Sequence, residues 1–311
     1  MIERACVIGG GVIGSLFAGH LAQVVDVSVL TRRRAHADAL NREGLTVSGR
    51  SDLHARLTAA DDPDDLEPFD LGIIATKATG LESAAATLAG RFPEATLMTT
   101  LNGLGAEEVV RAHGDWPLVS AVTFMSGTKH SDTEVEYILD TATWMGPYEE
   151  TSLERVEEIG DLVRSAGLEA EVLPDLRPAQ WSKLIFNATV NAVAALTGLP
   201  HDAHFAAEEL DDDLGHLVHD LVEEGKAVAA AAGIELHDDP WEMNVLATRR
   251  GAAHYPSMLE DVDARRATEI DLITGSLVRE AARHGVPVPL HTALYRLVKA
   301  KEASWNQQPD T

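Results

Sequence analysis

The sequence predicts an α/β N-terminal domain over residues 1–175 and an all-α C-terminal domain over residues 176–311. Three observations predict this. A glycine-rich turn separates a short apolar run from a helical one within residues 4–22. Three further apolar runs, at 26–30, 69–77 and 95–101, each stop at a polar or turn residue. Beyond residue 176 the apolar spacing is helical nearly to the end. A chain of 311 residues has ample length for two cores.

In the first run, Arg4–Ile8 reads as a buried strand, and Gly9-Gly10-Gly11-Val12-Ile13-Gly14 follows at once, leading into a helix. This is G-x-G-x-x-G in the strand–turn–helix context that gives the pattern meaning. Gly9 permits the tight turn, Gly11 lets backbone approach a pyrophosphate, and Gly14 lets helix pack closely on strand. The helix start at Val12 and Ile13 offers N–H groups to phosphates. Gly9, Gly11, Val12, Ile13 and Gly14 are therefore candidate cofactor contacts of a Rossmann-type domain. The strand Asp26–Leu30 ends in Thr31-Arg32-Arg33-Arg34, with no acid to take a ribose 2′-OH. Guanidinium forks suit a 2′-phosphate, so NADPH is favoured over NADH, with Arg32 and Arg33 as candidates and the choice between them open.

Lys77 ends the next strand, at the edge that faces the crevice in parallel sheets. Asn102-Gly103 ends the following one. Asn-Gly is a strong turn pair, and an amide there could also bind substrate or nicotinamide. The β-rich runs 118–125 and 134–144 read as antiparallel neighbours, and a helix (152–166) and strand (169–173) complete the domain.

The C-terminal half reads as helices at the opening segment, 210–232, 240–252, 258–285 and 292–301. Its opening helix, with Pro178 in the first turn and a stop at Gly198 and Pro200, carries Lys183, Asn187 and Asn191 at four-residue intervals in an apolar run. They form one polar stripe. Either it lines a polar cleft or it is a narrow wet edge, and these residues alone leave both open. Ser257-Met258-Leu259-Glu260 is a capping-box pattern, which gives Ser257 a structural role, while a helix start is also a natural anion site. Glu269 falls about three turns into the helix expected over 258–285. The pairs His201/His204 and His216/His219 lack the context of a metal site, and no metal is expected.

Composition narrows the partners. Asp and Glu number 50 against 25 Lys and Arg, a formal charge of −25, and only six residues are lysine (Lys77, Lys129, Lys183, Lys226, Lys299 and Lys301). Such a balance resembles proteins of salt-in halophiles, where concentrated salt screens the self-repulsion. It argues against nucleic acid or an anionic membrane as partner. The single cysteine, Cys6, excludes an internal disulfide and fits a reducing compartment as inert core. The apolar run from Ala5 to Ala22 is interrupted by five glycines and falls short of a membrane span. A soluble, cytoplasmic protein is expected; a homodimer is compatible with the sequence but not specified by it.

Taken together, the Gly9/Gly11/Gly14 turn, Lys77, Leu101-Asn102-Gly103, the Lys183-Asn187-Asn191 helix, Ser257-Met258-Leu259-x-Asp261, Thr268-Glu269-Ile270-Asp271 with Thr274-Gly275, and Gly285-Val286-Pro287-Val288-Pro289 resemble the ketopantoate (2-dehydropantoate 2-reductase) family over nearly the whole chain. The resemblance implies a Rossmann domain joined to a helical one, with the active site in the cleft between them. It implies NADPH-dependent reduction of a small 2-oxo acid, 2-oxopantoate, to (R)-pantoate on the route to pantothenate and coenzyme A. Lys183 would then be the general acid and Glu269 would bind the hydroxyl side of the substrate. Asn102, Asn187, Asn191 and Ser257 would position substrate, and Lys77, Asn102 and Glu269 would also line the cofactor site. Two positions depart from the family pattern, His201 and His254, where asparagine is frequent. The alternatives are a reductase of another branched 2-oxo acid and a catalytically silent NADP(H)-binding sensor. Presence of the acid and the substrate ligands opposes the sensor.

Overall fold

Short apolar strands alternating with helices build the first of two units in a computed structural model, Met1–Leu101 with Ala106–Leu176. Asn102–Gly105 and Arg177–Thr311 make the second. Residues 1–202, 205–206, 212–249 and 255–305 are described.

The first unit runs β1 (Arg4–Ile8), α1 (Val12–Leu21), β2 (Asp26–Leu30), α2 (Arg34–Glu43), β3 (Leu45–Gly49), β4 (Leu53–Ala55), β5 (Thr58–Ala60), β6 (Leu71–Ile74), α3 (Ala78–Leu88), β7 (Thr96–Thr99) and α4 (Ala106–Arg111). It continues with β8 (Leu118–Thr123), β9 (Ser126–Lys129), β10 (Glu134–Leu139), β11 (Thr143–Tyr148), α5 (Leu153–Ser165) and β12 (Ala170–Val172). Eight strands form the main sheet in the order β12-β11-β8-β7-β6-β1-β2-β5. From β5 to β8 the neighbours are parallel, and β11 returns antiparallel to β8. The inner strands β6, β7 and β8 are buried at every position, as continuous apolar runs in a sheet covered on both faces should be. Cys6 lies in this core, where burial pushes its thiol up to about 12 and leaves it inert. This is the expected α/β architecture.

Of the second sheet, β4-β3-β10-β9, only β10 falls in a run that the sequence marks as β-rich. Helix α1 packs against strands of both sheets, which is why Gly14 to Leu21 are all buried. The expected antiparallel pairing of 118–125 with 134–144 holds only at Thr143 and Trp144, which open β11 opposite Thr123 and Val122. β8 pairs with β11, whereas β10 pairs with β9 and, in parallel, with β3. The run 134–144 splits because the register of β10 shifts between Tyr137 and Leu139 and the chain then changes sheet.

The second unit holds α6 (Arg177–Thr197), α7 (Asp213–Ala231), α8 (Pro240–Arg249), α9 (Ser257–Asp263), α10 (Thr274–His284) and α11 (Pro289–Ser304). Helix α6 packs against α7, α8, α9, α10 and α11. At one crossing a Cβ on Gly225 would come 2.6 Å from Ile185 Cγ2, so only glycine allows that approach. The turn Asn102–Gly105 belongs to this unit: the Leu104 N–H donates to Leu272 O at 3.3 Å.

The single helix expected over 258–285 is two helices with a break. Arg265 takes φ +50, and the buried carboxylate of Asp261 accepts from Arg266 Nε at 3.0 Å, fixing the chain in a turn. Thr268 is held by Glu302, which accepts from its N–H at 2.8 Å and its hydroxyl at 2.7 Å. Ile270 and Ile273 stay in the core, so the apolar spacing persists through a non-helical stretch. The capping role expected of Ser257 fails as well. Pro256 is the N-cap and Ser257 the first helical residue, so its exposed hydroxyl does not cap.

The two-sided packing of α1 is testable. A Cβ on Gly19 would lie 2.6 Å from Val47 Cγ2. Gly19→Val should therefore lower the urea midpoint, with overpacking costing about 1–3 kcal/mol against a helix-propensity return below about 1 kcal/mol. An unchanged midpoint would show that the second sheet does not press on α1.

Candidate functional site

In the first unit the strand register gathers the carboxyl ends of β1, β2 and β6. Ile8 sits opposite both Leu30 and Ile74. The Gly9 N–H donates to Leu30 O and the Ala75 N–H to Ile8 O, each at 2.9 Å. Gly9 has φ +110, and a Cβ there would lie 2.9 Å from Ala75 O. A Cβ on Gly14 would fall 1.9 Å from Gly9 O. Gly11 differs: its Cβ would meet only Ala75 O, at 3.9 Å, so the space beside it is open. Gly11 is the N-cap of α1 and no side chain caps that end. The N–H groups at Val12 and Ile13 thus begin a helix whose positive end is not satisfied by a side chain. An open cradle at a bare helix start fits a pyrophosphate.

The three arginines have different surroundings. Arg33, the N-cap of α2, forms an ion pair with Asp132 at 2.5 Å, and Arg34 lies 3.9 Å from Asp61. Arg32 is exposed and has no carboxylate partner among the described residues. Lys77 is exposed at the N-cap of α3, two residues beyond Ala75.

Asp132 supplies the carboxylate that the β2 end lacks in sequence. With His36 and Lys129 it forms a cluster over the glycine turn that sequence reasoning passes over. Only the scarcity of lysine points toward Lys129.

In the second unit the stripe on α6 is enclosed. Lys183 and Asn191 are each 5% exposed, and Asn187 is half-buried. Five helices around α6 exclude the wet-edge reading. Asn187 Nδ2 donates to Asn102 Oδ1 at 3.4 Å, and Asn102 Nδ2 donates to Glu269 Oε2 at 3.3 Å. Both contacts are long for hydrogen bonds and hold the side chains loosely. Burial pushes Lys183 down to about 8, opposed by the charge of Glu269. The break after α9 presents Glu269 on a half-buried turn, not on a helix face. An ammonium, three amides and a carboxylate thus share one unit. Ser257 starts α9 with its side chain exposed. His201 is 3% exposed and stacks edge-on to Phe186 and Phe205 at 5.8 and 5.2 Å. His254 and His204 lie outside the described residues.

Residues 5–150 match the family model described as ketopantoate reductase PanE/ApbA, and residues 175–302 match its C-terminal counterpart. A 2-dehydropantoate 2-reductase of Pyrococcus horikoshii is 30% identical over 297 residues, 96% of this chain and 97% of that protein. One of Vibrio cholerae is 29% identical, covering 97% and 98%. The crystal structure of a PanE/ApbA family ketopantoate reductase from Ralstonia eutropha superposes with a TM-score of 0.86 at 26% identity, covering 98% of this chain and all of that one. A D-mandelate dehydrogenase with NADH and anilino(oxo)acetate superposes at 0.87 and 23% identity, a likeness of fold alone.

The burial of Lys183 carries a cost that can be measured. Lys183→Met removes a charge held out of water and should raise stability by about 1–3 kcal/mol at pH 7. A lysine whose folded pKa is lowered destabilises most below that pKa, near 8. The advantage of the methionine variant should therefore shrink as pH rises from about 8 toward the ordinary lysine value. Urea unfolding at pH 7 and pH 10 measures this; a variant less stable at both would refute the penalty.

Proposed function

The chain belongs to the ketopantoate reductase PanE/ApbA family, and we propose that it reduces 2-dehydropantoate to (R)-pantoate with NADPH. The product lies on the route to pantothenate and coenzyme A. The observation that carries the reading is the Lys183 ammonium, buried beside Asn187 and Asn191 and under the charge of Glu269. Reducing a ketone puts negative charge on its oxygen. A desolvated cation aimed there stabilises that charge and delivers the proton.

A bound reduced nicotinamide supplies the hydride. As the keto carbon takes it, Lys183 Nζ gives a proton to the carbonyl oxygen, a secondary alcohol forms, and the neutral amine is reprotonated from solvent. A pKa near 8 suits this step, because the ammonium is populated at neutral pH and gives up its proton readily. Asn187 and Asn191 satisfy polar substrate atoms without changing the charge. Glu269, with Asn102 hydrogen-bonded to it, would receive the hydroxyl end of the substrate. Ser257 adds a hydroxyl contact. Gly11 and the N–H groups at Val12 and Ile13 would hold the pyrophosphate, with Gly9 and Gly14 shaping the turn and Lys77 near it.

The preference for NADPH rests on Arg32. Its guanidinium has no carboxylate partner among the described residues, whereas Arg33 is already tied to Asp132. A second substrate reading is favoured by His201, an imidazole packed between aromatic rings where the family often has an amide. That reading keeps the chemistry and changes the 2-oxo acid to another branched one.

NADPH oxidation in molar potassium chloride, with ketopantoate beside 2-oxoisovalerate, pyruvate and oxaloacetate, tests the assignment. Ketopantoate should give the highest kcat/KM; equal or better turnover of 2-oxoisovalerate would transfer the assignment to that substrate. Lys183→Ala should lower kcat by about 10²–10⁴-fold while NADPH still binds. With cofactor and substrate saturating, kcat for reduction should fall as pH rises through about 8, since deprotonated Lys183 has no proton to give. Arg32→Ala should weaken NADPH binding far more than NADH binding, and equal losses would show that Arg32 does not read the 2′-phosphate.

A further inference from the structure

Strand β9, the edge of the second sheet, runs beside the first turn of α1. A Cβ on Gly127 would come 3.1 Å from Val12 Cγ1. This brings Lys129, the last residue of β9, onto the glycine turn, where its Nζ donates to the carbonyl oxygen of Gly10. His36 packs against the same residue: a Cβ on Gly10 would lie 2.6 Å from His36 Cε1. Gly10 is thus glycine because the His36 ring crowds it. Gly11, the next residue, faces open space.

The surroundings of Lys129 are unusual for a structural lysine. It is half-buried, and no carboxylate lies within ion-pair distance of Nζ among the described residues. His36 Nε2 is 3.3 Å from Nζ but also 3.0 Å from the carbonyl oxygen of Asp132. Burial, and then the charge of Lys129, hold His36 below its ordinary pKa, so its ring is neutral at pH 7. A neutral ring whose Nε2–H donates to Asp132 O has no lone pair left there for Lys129. The ammonium, with three donors, keeps one good acceptor, the Gly10 carbonyl. Burial pushes it down to about 8, with the Asp132 charge opposing. An unpaired, half-desolvated cation beside a bare helix N-terminus is a poor arrangement by itself and a good one for an anion.

We infer that Lys129 is a pyrophosphate ligand of the dinucleotide site, its ammonium exchanging the Gly10 carbonyl for phosphate oxygen when the dinucleotide binds. The inference rests on the dinucleotide reading of the glycine turn. Lys129 is 119 residues from Gly10 in the chain, so the second sheet is what delivers it. The cation serves the part of the cofactor common to NADPH and NADH. Arg32 serves only the 2′-phosphate. The two roles are therefore separable.

Titration calorimetry on the full chain separates them, with NADPH, NADH and adenosine 2′-monophosphate as probes; the last carries the 2′-phosphate and no pyrophosphate. Lys129→Met should weaken NADPH and NADH alike, by about tenfold or more, as loss of a charge-assisted contact implies. It should leave adenosine 2′-monophosphate unchanged. Lys129→Arg should restore most of the affinity, and the unfolding midpoint of Lys129→Met should not drop. NADPH and NADH binding as tightly as to the unsubstituted chain would overturn the inference. So would an equal loss for adenosine 2′-monophosphate, which would mean that Lys129 only props the site. Failure of the unsubstituted chain to bind either dinucleotide would sink the dinucleotide reading itself, and the role of Lys129 with it.

Discussion

The helical unit keeps one ammonium out of water, and its proposed chemistry depends on that burial. Lys183 sits on α6, and α6 packs against all five other described helices of its unit. Burying a charge costs several kcal/mol unless partners compensate. Here the compensation is partial: Glu269 acts through its charge and burial still dominates. The unit therefore carries a lysine whose proton is loosely held, placed by a helix that has little freedom to move. Amides alone share its stripe, and amides can bind substrate without neutralising the lysine. Had a carboxylate replaced Asn187, one turn away, it would have paired with Lys183 and raised its pKa again.

The glycine turn shows a different division of labour among neighbouring residues. Gly9 is required by a positive φ and by Ala75, Gly10 by His36, and Gly14 by the Gly9 carbonyl. Only Gly11 has room for a Cβ, which among the described residues would meet just Ala75 O, at 3.9 Å. The second sheet makes this possible. It covers α1 on the face opposite the main sheet and carries Lys129, His36's partner Asp132 and the close contact to Val12.

What was legible in the sequence follows the range of the interactions. The glycine turn and the Lys183-Asn187-Asn191 stripe could be read because backbone sterics and four-residue spacing are local. The same spacing misled over 258–285. Ile270 and Ile273 keep core positions while Arg265 turns the chain, so the pattern outlives the helix and Glu269 ends on a turn. The edge β9, the splitting of 134–144 between two sheets and the Asn102–Glu269 contact across 167 residues were not legible. Each depends on which segment lies beside another, and no single window contains that information. The missing acid at the β2 end is the clearest case: Asp132 reaches Arg33 from 99 residues away.

The proposed reduction requires Lys183 to be a buried donor that releases its proton readily. The chain has only six lysines, so their side-chain nitrogens can be followed one by one by NMR in ¹⁵N-lysine-labelled protein, with Lys183→Met and Lys129→Met assigning the two that matter. The Lys183 ammonium should titrate near pH 8 in the free protein. Titration of Lys183 near the ordinary lysine value, about 10.4, would contradict that role.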